Sequence, residues 1–197
     1  MRKYEKPELF KAIWQPVNPV IPYFLIQFST FERTAREIMK IELTPIGIIH
    51  SPYTTLEDMP IQPTGAAGVR GTVEMFEDFQ PGLTDLDGFS HIILLYHFHR
   101  SRSFSLQVVP FLDSTARGLF ATRAPRRPNP IGLSVVRLDG VEDGLLQIRN
   151  VDILDGTPLL DLKPYVPEFD APPNAQTGWL ARVGKKVTSR KSDDRFK

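Results

Sequence analysis

The chain has 197 residues, of which 41% are hydrophobic and 24% charged, and its formal net charge is +1. This globular composition predicts one domain with appendages and excludes wholesale disorder, collagen and coiled-coil arrays. Because the sequence has no cysteine and no uninterrupted apolar run of about 18 residues, it excludes disulfide frameworks, thiolate metal sites and cysteine nucleophiles, and we expect a cytoplasmic protein that does not associate with membranes.

Residues 1–38 are predicted to be an N-terminal extension. Four prolines interrupt regular structure in it, and residues 29–40 are predicted to form one short helix. Ser29 and Glu32 have the spacing of a capping box, and apolar residues recur behind them at helical intervals. The extension is therefore predicted to be partly helical. Met39 is an alternative candidate for the first residue of the protein.

Six short strands are predicted in the main domain, residues 39–170. Each is rich in Ile, Val, Leu or Phe and bounded by turn residues. They span residues 44–50, 69–76, 91–99, 131–138, 145–153 and 158–162. Apolar and polar residues alternate along the second strand, which predicts that its odd-numbered residues point inward. The third strand is apolar on both faces, as in a strand that is buried on two sides. The pattern predicts a mostly-β fold, a small closed or partly closed barrel.

The connections between these strands differ in length. Turn residues at 139–140 and 142–144 predict a hairpin. Residues 51–68 and 100–130 are long and irregular, and loops of this kind on a β scaffold usually carry function. Residues 171–197 form a basic tail that we expect to fray at its end.

The second long loop carries a local basic patch on an otherwise acidic domain. No acid falls among its four arginines, Arg117, Arg123, Arg126 and Arg127. Three prolines within residues 125–130 stiffen the backbone, so the guanidinium groups lose little freedom on binding. A guanidinium binds carboxylate or phosphate as a planar fork. The patch predicts an anion or nucleic-acid site, and a plain proline-rich connection is the alternative.

Two further segments place polar groups where strands end. Asp-Gly-Thr-Pro at 155–158 is a tight turn that brings a carboxylate, a hydroxyl and backbone N–H groups together. Such a turn suits an amine, a ribose or an adenine edge. The segment 50–53 breaks from strand to loop and would expose Ser51 and Tyr53. A purely structural turn is the alternative for both segments, and for the segment 50–53 it is the favoured one.

Three histidines share one parity on the third strand, which suggests zinc or iron. Ile93 and Leu95 lie between them, and His91 would lie about 20 Å from His97 at the rise of a strand. Only His97 and His99 could share an ion, and no carboxylate has a matching spacing. We therefore expect no metal site and keep a metal-dependent hydrolase as the weakest alternative.

Together these segments resemble the TsaA-like (TrmO-like) family of tRNA methyltransferases, over about residues 41–167. The segments that carry the resemblance are Ile-Gly-Ile-Ile-His-Ser-Pro-Tyr at 46–53, Leu-Asp-Gly-Phe-Ser-His-Ile at 86–92, Phe-Ala-Thr-Arg at 120–123, Arg-Pro-Asn-Pro-Ile-Gly-Leu-Ser at 127–134, Asp-Gly-Thr-Pro at 155–158 and Asp-Leu-Lys-Pro-Tyr at 161–165. Residues 1–38 lie outside the shared pattern.

The resemblance implies a homodimeric barrel that binds S-adenosylmethionine near its dimer interface. The implied reaction is methylation of the N6 atom of threonylcarbamoyladenosine beside the anticodon of tRNA. Some bacterial relatives have a further C-terminal domain that helps to grip tRNA, so a non-catalytic module that binds S-adenosylmethionine or RNA is the second hypothesis. The implied cofactor contacts are Ser51, Pro52, Tyr53, Ser90, His91, Arg123, Leu133, Ile153, Leu154, Asp155, Gly156 and Thr157.

Methyl transfer from a sulfonium mainly requires alignment of donor and acceptor, because the leaving group is already activated. A proton must also leave the N6 nitrogen, so a carboxylate, imidazole or phenolate is needed nearby. Asp155 is the first candidate for this proton acceptor, with Tyr165 and His91 behind it. The predicted substrate contacts are Arg123, Arg126, Arg127 and Asn129.

Overall fold

The computed structural model describes residues 41–57, 59–182 and 191–193. The predicted helix at 29–40 and the end of the tail at 194–197 lie outside these residues, so both stay predictions. The strands of the described chain are β1 (Gly47–His50), β2 (Arg70–Met75), β3 (His91–His97), β4 (Gln107–Val108), β5 (Arg117–Gly118), β6 (Ile131–Glu142), β7 (Leu145–Arg149) and β8 (Thr157–Pro164).

Six of these strands close into a barrel in the order β1-β2-β7-β6-β3-β8. Every neighbouring pair is antiparallel, and β8 returns to β1 with Leu159 opposite Gly47. Closure pairs the edges that an open sheet would leave free. The prediction of a mostly-β closed barrel is confirmed, and all six predicted strands are present with shifted ends.

The predicted hairpin between β6 and β7 is present, and its turn lies in the second of the two predicted turn segments, 142–144. β6 runs through residues 139–140 to its end, and the register with β7 shifts there, as at a β-bulge. The turn is made by Asp143 and Gly144, whose φ angles are 48° and 77°. Two consecutive left-handed residues match the twist of the flanking strands. The turn predicted at 139–140 was wrong because the bulge absorbs its extra residue within the strand.

Alternate residues of each strand point into the barrel and fill its interior. Val73 and Met75 face inward on β2, as predicted. On β3 only the even-numbered residues are fully buried, while Ile93 and Leu95 are half-buried. The prediction that β3 is buried on two sides was wrong for a single chain, because a barrel wall packs on its inner face alone. The central core members are Ile49, Ile92, Leu94, Val136, Leu146, Ile148 and Leu159.

The long loops contain more order than the sequence indicates. β4 and β5 form a two-stranded sheet within 100–130, too short for a periodic signal. The short helices are the α-helix Pro167–Asp170 and the 3-10 helices Pro63–Gly65, Glu77–Leu83, Leu86–Gly88, Leu119–Ala121 and Gly178–Arg182. None of the helices in the described residues is long and apolar enough to cross a membrane.

Candidate functional site

A cavity of about 1120 Å³ lies where both long loops meet the barrel. Each long loop contributes to it, through residues within 56–64 and 110–127, and so does the bend at 150–157. Outward-facing residues of β6 extend the wall. The tail completes it with Trp179, Leu180, Ser192 and Asp193.

The cavity brings the arginine-bearing part of the second long loop and the bend at 150–157 to the same side of this chain. This juxtaposition requires no second chain. The predicted site residues that line the cavity are His91, Arg123, Arg127, Leu133, Ile153, Leu154 and Thr157. The predicted residues that do not line it are Ser51, Pro52, Tyr53, Ser90, Arg126, Asn129, Asp155, Gly156 and Tyr165.

Ser51 and Tyr53 hold the bend in place. The Ser51 hydroxyl donates to the Ile153 carbonyl at 2.6 Å, and the Asp155 N–H donates to the Tyr53 carbonyl at 2.7 Å. The Asp155 carboxylate accepts the Ser51 N–H at 3.1 Å, and its Oδ1 lies 3.5 Å from Nδ1 of His50. The segment 50–53 therefore acts on the cavity through the backbone of the bend.

His91 belongs to a second cluster at the start of β3. Its Nδ1 is 3.0 Å from the Ser90 hydroxyl, and its ring meets the Tyr165 ring edge-on at 6.4 Å between centroids. The Tyr165 N–H donates to the His91 carbonyl at 3.1 Å. Of Ser90, His91 and Tyr165, His91 is the residue that lines the cavity.

A buried chain of polar groups, which the sequence analysis did not identify, reaches the cavity from the barrel. The Ser134 hydroxyl donates to the Asp152 carboxylate at 2.7 Å, and the Tyr96 hydroxyl lies 3.1 Å from the Ser134 oxygen. Because the single Ser134 proton goes to the carboxylate, Tyr96 donates to Ser134. Gly132 makes room for the Tyr96 ring, since a Cβ there would lie 2.2 Å from a ring carbon.

Burial shifts the pKa values of Asp152 and Tyr96, two members of this series of hydrogen-bonded groups. Desolvation raises the pKa of Asp152 to about 6, against opposing effects from the Ser134 hydrogen bond and the Arg123 charge. Burial also raises the pKa of Tyr96, and the nearby Asp152 charge raises it further. Asp152 is therefore a carboxyl group that changes charge close to neutral pH, whereas Tyr96 stays protonated.

Two arginines of the loop have different surroundings. Arg123 is exposed, and its Nη1 donates to Gln62 Oε1 at 3.2 Å, which links the two long loops. Arg127 turns back on its own loop, because its Nη1 donates to the Thr122 carbonyl at 3.0 Å. Arg123 therefore offers the more available guanidinium, and Arg127 rigidifies the loop.

One member of the predicted histidine pair, His99, lies beside the bend. The His99 Nδ1 is 3.4 Å from the Thr157 hydroxyl. Burial lowers the pKa of His99, and the charge of Arg100 lowers it further. In residues 41–57, 59–182 and 191–193, no three His, Cys, Asp or Glu side chains are grouped so that they could hold a metal ion.

The arrangement suits a ligand that combines opposite charges with an apolar body. Arg123 offers a fork for an anionic group, Asp152 offers a carboxylate for a cationic one, and apolar residues such as Leu133 and Ile153 line the space near them. The volume is large enough for a cofactor-sized molecule and part of a second reactant.

Comparison with known proteins gives related sequences and structures. The model of the tRNA-methyltransferase O N-terminal domain matches residues 48–171. A protein of Pyrococcus abyssi named "Probable S-adenosyl-L-methionine-binding protein" is 55% identical over 152 residues, which are 77% of this chain and 83% of that protein. A human tRNA (adenine(37)-N6)-methyltransferase is 34% identical over 149 residues, 72% of this chain and 34% of the human protein.

Comparison with solved structures points to the same family as the sequence comparisons. The crystal structure of TrmO from Pseudomonas aeruginosa matches with a TM-score of 0.61 and 42% sequence identity. The match covers 72% of this chain and 63% of that one. The shared part is therefore most of the present chain but less than two thirds of the solved relative.

Proposed function

The chain belongs to the tRNA-methyltransferase O family, and from that membership we propose that it transfers a methyl group from S-adenosylmethionine to the N6 atom of an adenine in tRNA, in the cytoplasm. The meeting of Arg123 and Asp152 on one cavity carries this proposal. The names of the human and mouse relatives, tRNA (adenine(37)-N6)-methyltransferases, support the same reaction.

The residues of the cavity fit S-adenosylmethionine, which carries a carboxylate, an ammonium, a sulfonium and an adenine. Arg123 would hold the carboxylate, Asp152 would face the positive charge, and the apolar lining would contact the adenine. When bound, the cofactor supplies an activated methyl group. The proposed direct contacts are the lining residues His91, Arg123, Leu133, Ile153, Leu154 and Thr157.

The other proposed cofactor residues act by shaping the bend. Ser51 and Tyr53 bind its backbone, and the Asp155 side chain receives the Ser51 N–H. Pro52, Gly156 and Ser90 are neighbours of these groups along the chain. We propose that these residues fix the positions of Ile153 and Leu154 in the cavity wall. Substitution of any of them should therefore weaken cofactor binding indirectly.

Asp152 is the proposed proton acceptor, in preference to Asp155. Asp152 lines the cavity, whereas Asp155 is tied to Ser51 and lies near His50. A pKa of about 6 suits a group that takes a proton near neutral pH. A cation beside Asp152 favours its ionised form, and the N6 proton then moves to that carboxylate as the methyl group reaches N6. His91 and Tyr165 remain the alternatives.

We propose threonylcarbamoyladenosine as the acceptor. Its threonyl carboxylate is an anion that a guanidinium can bind as a fork. Arg126 and Asn129 are the proposed contacts of the acceptor, Arg127 supports their loop, and Arg123 is assigned to the cofactor carboxylate. Phosphate contacts by the same patch would make tRNA binding depend on salt.

A homodimer is proposed from the outer face of the barrel. Leu133 and Ile131 on β6 are 44% and 39% exposed, and Ile93 and Leu95 on β3 are half-buried beside them. Ile131, Leu133 and Val135 also line the cavity. A second copy that covered this apolar stripe would remove it from water and close the cavity on that side.

The test is transfer of labelled methyl from S-adenosylmethionine to purified tRNA at low salt. We expect transfer to tRNA that bears threonylcarbamoyladenosine and none to the same tRNA made without it. Absence of transfer to verified modified tRNA contradicts the proposal. The control is Asp152→Asn, which should bind tRNA but transfer methyl slowly.

A second candidate is a module that binds S-adenosylmethionine without turnover. The name of the Pyrococcus abyssi relative favours it, because that name mentions binding and no reaction. Calorimetric binding of the cofactor together with zero transfer to a total tRNA pool would support this candidate. Measurable transfer eliminates it.

A further inference from the structure

Phe120 projects an aromatic ring from the cavity wall into solvent. It is 75% exposed, yet it lines the cavity next to Arg123. The Arg127 guanidinium lies over the ring, 5.8 Å from its centroid. Burial against this cation covers part of the ring and leaves most of it open, so the exposed part is available to a planar partner.

The turn that carries Phe120 is held firmly. Leu119, the residue before it, is 1% exposed and packs with Val108 and Ala124. The Thr122 hydroxyl and N–H both donate to the Leu119 carbonyl, at 2.8 and 3.0 Å. The ring is therefore displayed on a fixed backbone, which lowers the entropy lost when a partner stacks on it.

The tail adds a second aromatic residue to the same turn. The Trp179 indole N–H donates to the Ala121 carbonyl at 2.8 Å, and the Arg117 guanidinium lies over its ring at 5.4 Å. Arg117 is in turn held by Asp113, whose Oδ2 accepts its Nε–H at 3.0 Å. Trp179 lies beyond residue 171, where the match to the family domain ends. Residues outside the family domain thus brace the aromatic edge of the cavity.

We infer that Phe120, backed by Arg127 and braced by Trp179, is a stacking surface for an unpaired RNA base next to the adenine that enters the cavity. This inference rests on the proposed function and names how that site recognises its substrate. Single-stranded nucleic acids bind to aromatic rings placed among cations, because every base has a stacking face and every nucleotide a phosphate. Arg100, Arg123 and Arg127, which line the same cavity, supply those cations.

The positive charge around Phe120 favours RNA over a hydrophobic protein partner. Aromatic residues and arginine are enriched in protein–protein interfaces as well, so it is the excess of positive charge around the ring that favours RNA. Here arginines flank the ring on the same loop, and the acidic neighbour Asp113 is engaged by Arg117. The surface therefore matches a planar, anionic chain better than an apolar protein face.

The test measures RNA binding apart from methyl transfer. An anticodon stem-loop with 2-aminopurine beside the target adenine is titrated with wild-type protein, Phe120→Leu, Phe120→Tyr and Phe169→Leu. Phe169, 78% exposed, is a matched control from outside the cavity lining. We expect Phe120→Leu to weaken binding by about 5- to 150-fold and to abolish the fluorescence quenching that stacking produces. Phe120→Tyr and Phe169→Leu should bind like the wild type.

Affinity for S-adenosylmethionine and the sedimentation coefficient of each variant are measured in parallel. Equal RNA affinity of Phe120→Leu and wild type overturns the inference. An equal loss of cofactor affinity assigns the ring to the cofactor instead, and dissociation of a dimer assigns it to an interface between copies. Quenching that depends on Phe120, with no methyl transfer by the wild type, upholds the stacking surface and rejects the proposed function alone.

Discussion

The barrel and the cavity loops of this molecule are stabilised in different ways. The barrel has continuous strand ladders around a large core in which residues such as Leu146 and Ile92 are wholly buried. The second long loop buries a cluster of only three apolar side chains, Val108, Leu119 and Ala124, and is otherwise held by the short β4–β5 sheet and by side-chain contacts such as Arg123 to Gln62. Changes in the barrel should therefore affect stability, and changes in the loops should affect binding and catalysis.

The largest expected effect is a loss of stability from Leu146→Ala. Leu146 is fully buried on β7 and does not line the cavity. Truncation leaves a void in the closed barrel and should lower the free energy of unfolding by about 3–5 kcal/mol. Urea denaturation measures this loss, and methyl transfer per folded molecule should stay unchanged. A loss below about 1 kcal/mol would show that the barrel collapses around the void.

The next effect is a pH dependence that comes from Asp152. Burial raises its pKa in the folded protein to about 6 from the ordinary value of 3.8, so the folded state holds the proton more tightly than the unfolded state. This contribution is complete below about pH 4 and is lost as the pH rises through about 6, at a cost near 3 kcal/mol. Relative to the wild type, Asp152→Asn should therefore gain stability between pH 4 and 7.

Urea denaturation of both proteins at several pH values measures this difference. Asp139 is present in both, and the hydrogen bond from Arg149 holds its pKa below the usual range. Its opposite pH dependence cancels in the comparison. Parallel stability profiles for the two proteins would falsify the assignment of a raised pKa to Asp152.

Arg123→Ala should lower methyl transfer by about 100-fold with little loss of stability. Arg123 is exposed, so truncation leaves no buried void, but the cavity loses a guanidinium that is more available than that of Arg127. A hydrogen bond to a charged group contributes about 1.5–3 kcal/mol, which corresponds to a factor of about 10 to 150 in binding. Initial rates and thermal melting are compared with Arg123→Lys, which keeps the charge without the fork. If Arg123→Ala is instead unfolded, the role of this arginine is structural.

The smallest effect is expected from Ser192→Ala in the tail. The Ser192 hydroxyl donates to the Leu56 carbonyl at 2.6 Å and accepts the Met59 N–H at 2.9 Å. Its removal should cost about 1 kcal/mol and speed proteolysis of the tail. The exposed Ser103→Ala is the control. Equal proteolysis of the two variants would show that this contact does not hold the tail to the first loop.

Much of the barrel was predictable because the signal for a strand is local. Alternation of apolar residues placed Val73 and Met75 inward, and turn residues separated all six strands of the barrel. Local signals failed where pairing decided the outcome. Residues 139–140 look like a turn, yet the ladder to β7 continues past them and bulges instead. The half-exposed outer face of β3 also depends on what packs against it.

The site was predictable in part. The sequence singled out Arg123 and the bend, and both line the cavity. It did not identify the chain from Tyr96 through Ser134 to Asp152, although Asp152 lies next to the bend and Ser134 ends the arginine segment. The Tyr96 and Ser134 partners are 38 residues apart, and Arg123 is 61 residues from Gln62. No local pattern encodes such distant partners.

The amino-acid sequence by itself determined the family, the strands and the arginine loop, because these follow from motifs and short-range periodicity. Only the tertiary structure decided which carboxylate faces the cavity and which arginine is available. It also decided that the tail forms part of the cavity wall. These properties depend on burial and on contacts between segments far apart in the chain, which exist only once the barrel has closed.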